Sequence, residues 1–201
     1  MKIRTLLISV FILIYTPIPL PAAEPVERIA AVVNGEILFL SDIARDKAFF
    51  DPSEKDPNAR LQDLIDNRLL RAEARRFVPQ GPSEKEIDRK LKSIRDRFKS
   101  DPAFQEAMRR TGISLEELKK EIAENLWVEK LLQERISLFI FVTPQEIEKY
   151  YQEHAETFEG KKPEEVEPEI RDLLAAQKGE SKKKEYIARL RDRAAIEINL
   201  R

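Results

Sequence analysis

The pattern of hydrophobic and polar positions changes twice along the chain. Residues 29–43, IAAVVNGEILFLSDI, contain two short apolar runs separated by Asn34-Gly35, and residues 194–200, AAIEINL, alternate between apolar and polar positions. Asn-Gly favours the positive φ angles of a two-residue hairpin turn, and alternation is typical of a half-buried strand. The sequence therefore predicts an N-terminal β-hairpin and a C-terminal strand. Because an isolated hairpin is marginal in water, we expect the two segments to pair in one small sheet.

Between the predicted strands, apolar residues recur every three or four positions, which indicates amphipathic helices. A short helix from Ser41 to about Phe50 is expected directly after the hairpin, with Ser41 as its N-cap. Further helix starts are marked by capping boxes, in which a Ser or Thr precedes a Glu by three positions: Ser83–Glu86, Ser114–Glu117 and Thr143–Glu146. The predicted fold class is mainly α, with many helices and a small β-sheet formed by the N-terminal hairpin and the C-terminal strand.

Two segments allow more than one interpretation. Residues 136–142, ISLFIFV, carry no charge and are either an extended segment or the end of a helix. The region from 164 to 194 carries two apolar sets that point in roughly opposite directions on one helix, so this helix either breaks near Gly179 or contacts two different bodies. The residues on the first face are Val166, Ile170, Leu173, Leu174 and Gln177 before Gly179, and those of the second set are Tyr186, Ile187, Leu190 and Ala194 after it.

Residues 1–23 have the layout of a signal peptide, with Lys2 and Arg4, an apolar run from Leu6 to Tyr15, and small residues near Ala23. The apolar run is about ten residues long, whereas a membrane-spanning helix needs roughly 20. A cleaved export signal is therefore favoured over a permanent transmembrane anchor. We expect an exported protein with no stable membrane insertion once this leader is removed.

Composition narrows the possible functions. The chain has 201 residues, of which 42% are hydrophobic and 36% charged, with a net charge of −1 that gives no reason to expect a nucleic-acid partner. Its five scattered glycines cannot form a phosphate-binding loop or a dinucleotide fingerprint. Without cysteine and with His154 as the single histidine, the sequence also lacks the usual zinc ligands. We therefore predict no enzyme, no catalytic residue, no cofactor and no metal site.

Several aromatic residues lie at helix ends and junctions instead of within one apolar stripe. Packing inside the protein is one interpretation of them, and an apolar surface that binds a partner is the other. The candidate partner-binding residues are Phe49, Phe50, Phe139, Phe141, Tyr150 and Tyr151.

A resemblance to a known family joins these observations. Five segments resemble the N-terminal region of SurA-like periplasmic chaperones, in the family's order: VERIAAVVNGEILFLSDI, LQDLIDNRLLRAEARRF, SEKEIDRKLKSIRDRF, ISLEELKKEIAENLWVEKLLQERI and VTPQEIEKYYQEHAETF. The tail YIARLRDRAAIEINL is similar to the segment that closes the family's sequences. The resemblance implies a signal peptide at 1–23, a chaperone region at 24–158, and a closing helix and strand at 164–201 that pack back on the N-terminal region.

One departure from the family changes the functional expectation. Such chaperones usually carry a parvulin peptidyl-prolyl isomerase domain before the closing helix, where this chain has only a linker at residues 159–163. Even a small domain needs about 50 residues, so none fits there. The resemblance therefore implies the chaperone core without the isomerase domain.

The expected function is that of an ATP-independent periplasmic chaperone, or holdase. Its partners would be unfolded or extended segments of exported polypeptides, in particular outer-membrane proteins, and the formation of a homodimer is left open. Two alternatives come from other functional classes. One is a peptidyl-prolyl cis-trans isomerase, and the other is a structural scaffold for one dedicated envelope partner.

Overall fold

The computed structural model describes residues 27–158 and 160–199. The predicted signal peptide at 1–23 lies outside the described residues. Within the described ranges, no helix is both long enough and apolar enough to cross a membrane.

A three-stranded antiparallel sheet joins the two ends of the described chain. Strands β1 (Ile29–Val33) and β2 (Glu36–Phe39) form the predicted hairpin, and Asn34 and Gly35 adopt φ angles of 51° and 86° in its turn. Strand β3 (Ile196–Ile198) pairs with β1, so the strand order is β2-β1-β3. The prediction that the hairpin and the C-terminal strand share one sheet is confirmed.

The hairpin turn itself holds the C-terminal strand in place. The backbone N–H of Asn34 donates to the carbonyl of Ala195 at 2.8 Å, and its side-chain Oδ1 accepts from the N–H of Ala195 at 2.9 Å. Beyond the strand, the N–H of Asn199 donates to the carbonyl of Ala30 at 2.9 Å. Asn34 therefore forms the hairpin turn and also binds the backbone of the C-terminal segment at Ala195.

The described residues form seven α-helices, which confirms the mainly α fold class. All three predicted capping boxes form, each with the Glu carboxylate accepting from the backbone N–H of the Ser or Thr cap. In chain order the helices are α1 (Leu40–Arg45), α2 (Pro57–Phe77), α3 (Glu84–Arg95), α4 (Asp101–Thr111), α5 (Leu115–Arg135), α6 (Pro144–Glu153) and α7 (Pro163–Arg191).

The start of α1 corrects one expectation. Ser41 is not the N-cap, because the helix already begins at Leu40 and Ser41 lies in its first turn. The N-cap is Phe39, and Asp42 in the first turn bonds back to it, because its Oδ2 accepts from the backbone N–H of Phe39 at 2.9 Å. The hydroxyl of Ser41 donates instead to the carboxylate of Glu27 at 2.7 Å. After Arg45 the helix continues as a wider π-helical turn up to Phe50.

The buried apolar residues form three clusters. The sheet core joins the sheet to α2, α5 and the end of α7, and contains Ala30, Ala31, Val33, Leu38, Leu61, Ile65, Leu69, Leu70, Ala74, Val78, Val128, Leu131 and Leu190. The helical core lies between α3, α4 and α5, and contains Phe49, Ile87, Ile94, Phe104, Ala107, Met108, Ile113, Leu118 and Ile122. The small core joins α6 to the first half of α7, and contains Ile147, Phe158, Val166 and Ile170.

Helix α7 resolves the ambiguity around Gly179. It is one continuous helix, and its two apolar sets contact two different clusters. Val166 and Ile170 belong to the small core, whereas Leu190 belongs to the sheet core. The interpretation that this helix touches two bodies is therefore confirmed, and the alternative of a break near Gly179 is wrong.

Candidate functional site

The six aromatic residues singled out in the sequence occupy three different environments. Phe49 is fully buried in the helical core, with its ring centroid 6.0 Å from those of both Phe98 and Phe104. Phe50 is half-buried against the same core. A fully buried ring offers no surface to a partner, so Phe49 is a core residue in this conformation.

Tyr150 and Tyr151 both pack against the small core. The ring of Tyr150 stacks on His154 with centroids 4.0 Å apart, and the ring of Tyr151 stacks on Phe158 at 5.8 Å. The hydroxyl of Tyr151 donates to the carbonyl of Lys161 at 2.8 Å, which ties α6 to the start of α7. The two tyrosines therefore act in packing, together with the single histidine.

The remaining pair lies on the connection between α5 and α6, at residues 137–142, called here the exposed junction. It begins as one 3-10 turn, Ser137–Phe139, and becomes extended at Ile140, so each of the two predicted conformations accounts for part of it. Three side chains are largely exposed, Leu138 at 65%, Phe139 at 62% and Phe141 at 75%. These are the highest exposures among the large hydrophobic residues of the described chain.

Helix α7 holds the backbone of the exposed junction. Lys178 Nζ donates to the carbonyl of Phe141 at 2.6 Å, and Arg171 Nη1 donates to the carbonyl of Val142 at 3.2 Å. At Gly179 an added Cβ would lie 3.1 Å from Cδ1 of Ile140, so the absence of a side chain lets Ile140 approach the helix closely. The backbone is thus anchored while the rings of Phe139 and Phe141 stay in solvent.

A shallow concavity of about 340 Å³ lies beside these rings. It is lined by Phe139, Ile140 and Phe141 from the junction and by Lys178, Ser181, Lys182 and Glu185 from α7. Glu146 joins its edge, because its carboxylate accepts from Lys178 Nζ at 2.7 Å. This hydrogen bond, with those from the Thr143 cap, lowers the pKa of Glu146 to about 2. The surface therefore combines apolar rings with a charged rim.

A second concave region, called here the amide groove, lies between α2 and α5. It consists of cavities of about 380 and 330 Å³ that share the lining residues Phe50, Asn67, Asn125 and Val128. The larger cavity extends to Lys183 and Ile187 of α7, and the smaller one to Lys90, Ser93 and Arg97. The groove is therefore lined by residues of several helices, including α2, α3, α5 and α7.

Polar side chains form the floor of the amide groove. Asn67 Nδ2 donates to Asn125 Oδ1 at 3.2 Å, and Arg71 Nη2 donates to the same oxygen at 2.9 Å. Arg71 Nη2 also donates to Glu121 Oε2 at 2.7 Å. Among the described residues, Arg71 Nε is buried and has no hydrogen-bond partner. These residues were not predicted from the sequence, although Asn67 and Asn125 are polar residues within the amphipathic helices α2 and α5.

The charged residues around the larger cavity are mostly paired with one another. Arg60, only 2% exposed, donates to Asp46 Oδ2 at 2.5 Å and to the carbonyl of Asp51 at 2.7 Å, which holds the turn before α2. Burial raises the pKa of Asp46, against the lowering effect of Arg60. Within residues 27–158 and 160–199, no cluster of three or more His, Cys, Asp or Glu side chains could hold a metal ion.

Nine solved chains match the structure. One belongs to a pair described as SurA-like chaperones, the virulence factor PEB4 and the periplasmic protein Cj1289 of the human pathogen Campylobacter jejuni. This match has 14% sequence identity and a TM-score of 0.51, and it covers 85% of the present chain and 98% of the other. The chain has a SurA-like fold. No protein-family model matches the chain, and no curated protein is significantly similar to it.

Proposed function

We propose that this protein is an ATP-independent periplasmic chaperone that holds unfolded or extended segments of exported proteins, in particular those of the outer membrane. The SurA-like fold supports the proposal, because the similar solved chain is described as a SurA-like chaperone. The observation that carries it is the exposed junction, where three large apolar side chains extend into solvent from an anchored backbone.

The exposed junction has the physical properties that a holding surface needs. Isolated exposed apolar side chains are normal on proteins, but apolar groups that share one concavity with a charged rim are typical of binding surfaces. Covering Phe139 and Phe141 with an apolar client segment gains about 25 cal/mol per Å² of buried apolar area. The anchoring by Lys178 and Arg171 keeps the ordering cost of binding low.

Release of the client follows from the same small surface. A few apolar contacts at the exposed junction give the client segment only a modest affinity. A bound segment therefore dissociates without ATP hydrolysis. Lys178, Lys182 and Glu185 keep the edge of the concavity charged, which limits the association of two copies through Phe139 and Phe141.

The proposal is tested by the aggregation of an unfolded client. An outer-membrane β-barrel protein, unfolded in urea, is diluted into buffer without ATP, and light scattering is followed. We expect an equimolar to few-fold excess of the parent protein to delay aggregation. A variant with Phe139→Ser and Phe141→Ser should lose at least half of this delay.

Leu115→Ser is the matched control, because Leu115 is 46% exposed at the start of α5 and does not line the concavity beside the junction. It should delay aggregation as the parent does, and all three proteins should show similar melting curves. If the parent protein fails to delay aggregation at any of these ratios, the holdase proposal is wrong and a scaffold for one dedicated partner is favoured.

A further inference from the structure

The orientation of the two amides in the amide groove follows from the hydrogen-bonding chemistry of Arg71. A guanidinium can only donate, so the Asn125 atom that faces Arg71 Nη2 at 2.9 Å has to be the oxygen Oδ1. Because that same oxygen lies 3.2 Å from Asn67, the Asn67 atom that faces it has to be the donor Nδ2. Arg71 is therefore a positioning residue that fixes both amides.

This orientation leaves unused hydrogen-bonding groups in the groove. Asn125 Oδ1 already accepts two hydrogen bonds, while its Nδ2 donates to no described residue. Asn67 Nδ2 donates one hydrogen bond to Asn125, and Asn67 Oδ1 accepts from no described residue. Neither atom is among the buried side-chain atoms that lack a partner, so both remain open to solvent. The groove thus presents one amide acceptor, Asn67 Oδ1, together with unused amide N–H donors, chiefly those of Asn125 Nδ2.

Paired charges around these amides favour a neutral occupant. Lys55 is bonded to both Asp51 and Asp63, and Arg71 is bonded to Glu121. Asp42 accepts from Arg45, and it also lies near Arg68. A ligand with a strong charge of either sign would have to compete with these pairs. The apolar part of the lining comes from Phe50, Leu64, Leu70, Val128, Leu132 and Ile187.

We propose that the amide groove binds the backbone of an extended polypeptide and recognises its peptide groups instead of its side chains. A peptide N–H donates to Asn67 Oδ1, and a peptide carbonyl accepts from Asn125 Nδ2. The two joined cavities accommodate a continuous chain, whereas a small ligand needs only one of them.

This inference rests on the proposed function and explains how clients of unrelated sequence could be held. Every residue of an extended chain carries the same N–H and carbonyl, so recognition of the backbone is independent of sequence. The exposed junction would select for apolar side chains, and the amide groove for extended backbone. The two surfaces make separate contributions and can be tested separately.

The test compares two fluorescein-labelled heptapeptides of serine and valine by fluorescence anisotropy. One has normal peptide groups, and the other is N-methylated at alternate residues, which removes N–H donors while retaining the side chains. Loss of one neutral hydrogen bond weakens binding about two- to tenfold. We expect the parent protein to bind the methylated peptide more weakly by at least about threefold.

Two variants of similar size separate the two recognition groups. Asn67→Leu removes the acceptor, so it should weaken binding of the normal peptide and no longer discriminate between the two peptides. Asn125→Asp keeps an oxygen that accepts from Arg71 and Asn67 but replaces the donor Nδ2 by a second oxygen. It should therefore weaken the binding of both peptides and keep the discrimination between them. Gln133→Leu, an exposed amide on α5 outside both cavities, should behave as the parent.

Discrimination is the ratio of the affinities of the two peptides for the same protein. A substitution that partly destabilises the protein weakens the binding of both peptides alike, so it leaves this ratio unchanged. The inference is wrong if the parent binds both peptides equally, or if Asn67→Leu discriminates as the parent does. If the parent delays client aggregation but shows no discrimination, the groove inference fails while the holdase proposal stands. If it discriminates but does not delay aggregation, the groove inference stands and the holdase proposal fails.

Discussion

Removing the C-terminal strand is expected to destabilise the whole described fold. Deleting residues 194–201 removes β3, and with it the two hydrogen bonds between Asn34 and Ala195 and the bond from Asn199 to Ala30. It also exposes part of the sheet core, against which Ile196 is half-buried. The hairpin loses its third strand and then depends on its packing against the helices alone, which weakens it.

The magnitude follows from these contacts. The three hydrogen bonds outside the β1–β3 ladder, at about 0.5 to 1.5 kcal/mol each, contribute about 1.5 to 4.5 kcal/mol, and partial burial of Ile196 contributes about 1 to 2 kcal/mol. The ladder hydrogen bonds between β1 and β3 add to this sum. The expected loss is therefore at least about 3 kcal/mol, against a total stability of roughly 5 to 15 kcal/mol. For a chain of this size, such a loss lowers the melting midpoint by at least about 6 °C.

Thermal unfolding followed by circular dichroism measures this effect. Glu197→Ala is the matched control, because its side chain is exposed and the substitution retains the backbone hydrogen bonds of β3. It should change stability by less than about 0.5 kcal/mol. An unchanged melting midpoint for the deletion, within the error of the control, would refute the claim that the returning strand stabilises the fold.

Three further expectations concern charge and activity. Arg60→Ala should destabilise the protein by about 3 to 5 kcal/mol in urea unfolding, because it leaves the part-buried Asp46 unpaired; a loss below about 1 kcal/mol would contradict this. Because the pKa of Glu146 is lowered from 4.5 to about 2, its stabilising effect is present above pH 4.5 and is lost as the pH falls toward 2. The melting midpoint of Glu146→Gln should thus be lower than that of the parent at pH 6 and equal to it near pH 2, and a constant difference would argue against this contact. We also expect no acceleration of cis-trans isomerisation in a proline-containing peptide, and turnover that disappears in His154→Ala would establish the rival isomerase function.

Features set by neighbouring residues were predictable from the sequence. The Asn34-Gly35 turn and the three capping boxes each depend on positions within four residues of one another. The pairing of the two chain ends was also predictable, because a lone hairpin needs a partner. The start of α1 was mispredicted, because Ser41 is a good capping residue whereas the observed N-cap, Phe39, has no side-chain acceptor and depends on Asp42 in the first turn.

Features set by distant contacts could not be predicted in the same way. Phe49 and Phe139 both lie at helix junctions in the sequence, but the helical core encloses Phe49 whereas Phe139 has no such neighbours. The amide groove depends on Arg71 meeting Asn125, which is 54 residues away in the chain. Periodicity identifies the face of a helix on which a residue lies, but it does not identify the helix that packs against that face.

The proposed function requires that the protein binds polypeptides because they are unfolded, and one binding measurement tests this directly. An outer-membrane β-barrel protein with a fluorescent label is presented in two states, freshly diluted from urea and folded in detergent micelles, and its affinity for this protein is measured without ATP. We predict binding of the unfolded state at least about tenfold tighter than that of the folded state, and a weaker preference in the variant with Phe139→Ser and Phe141→Ser. Equal affinity for the two states, or binding of the folded state alone, would contradict the account.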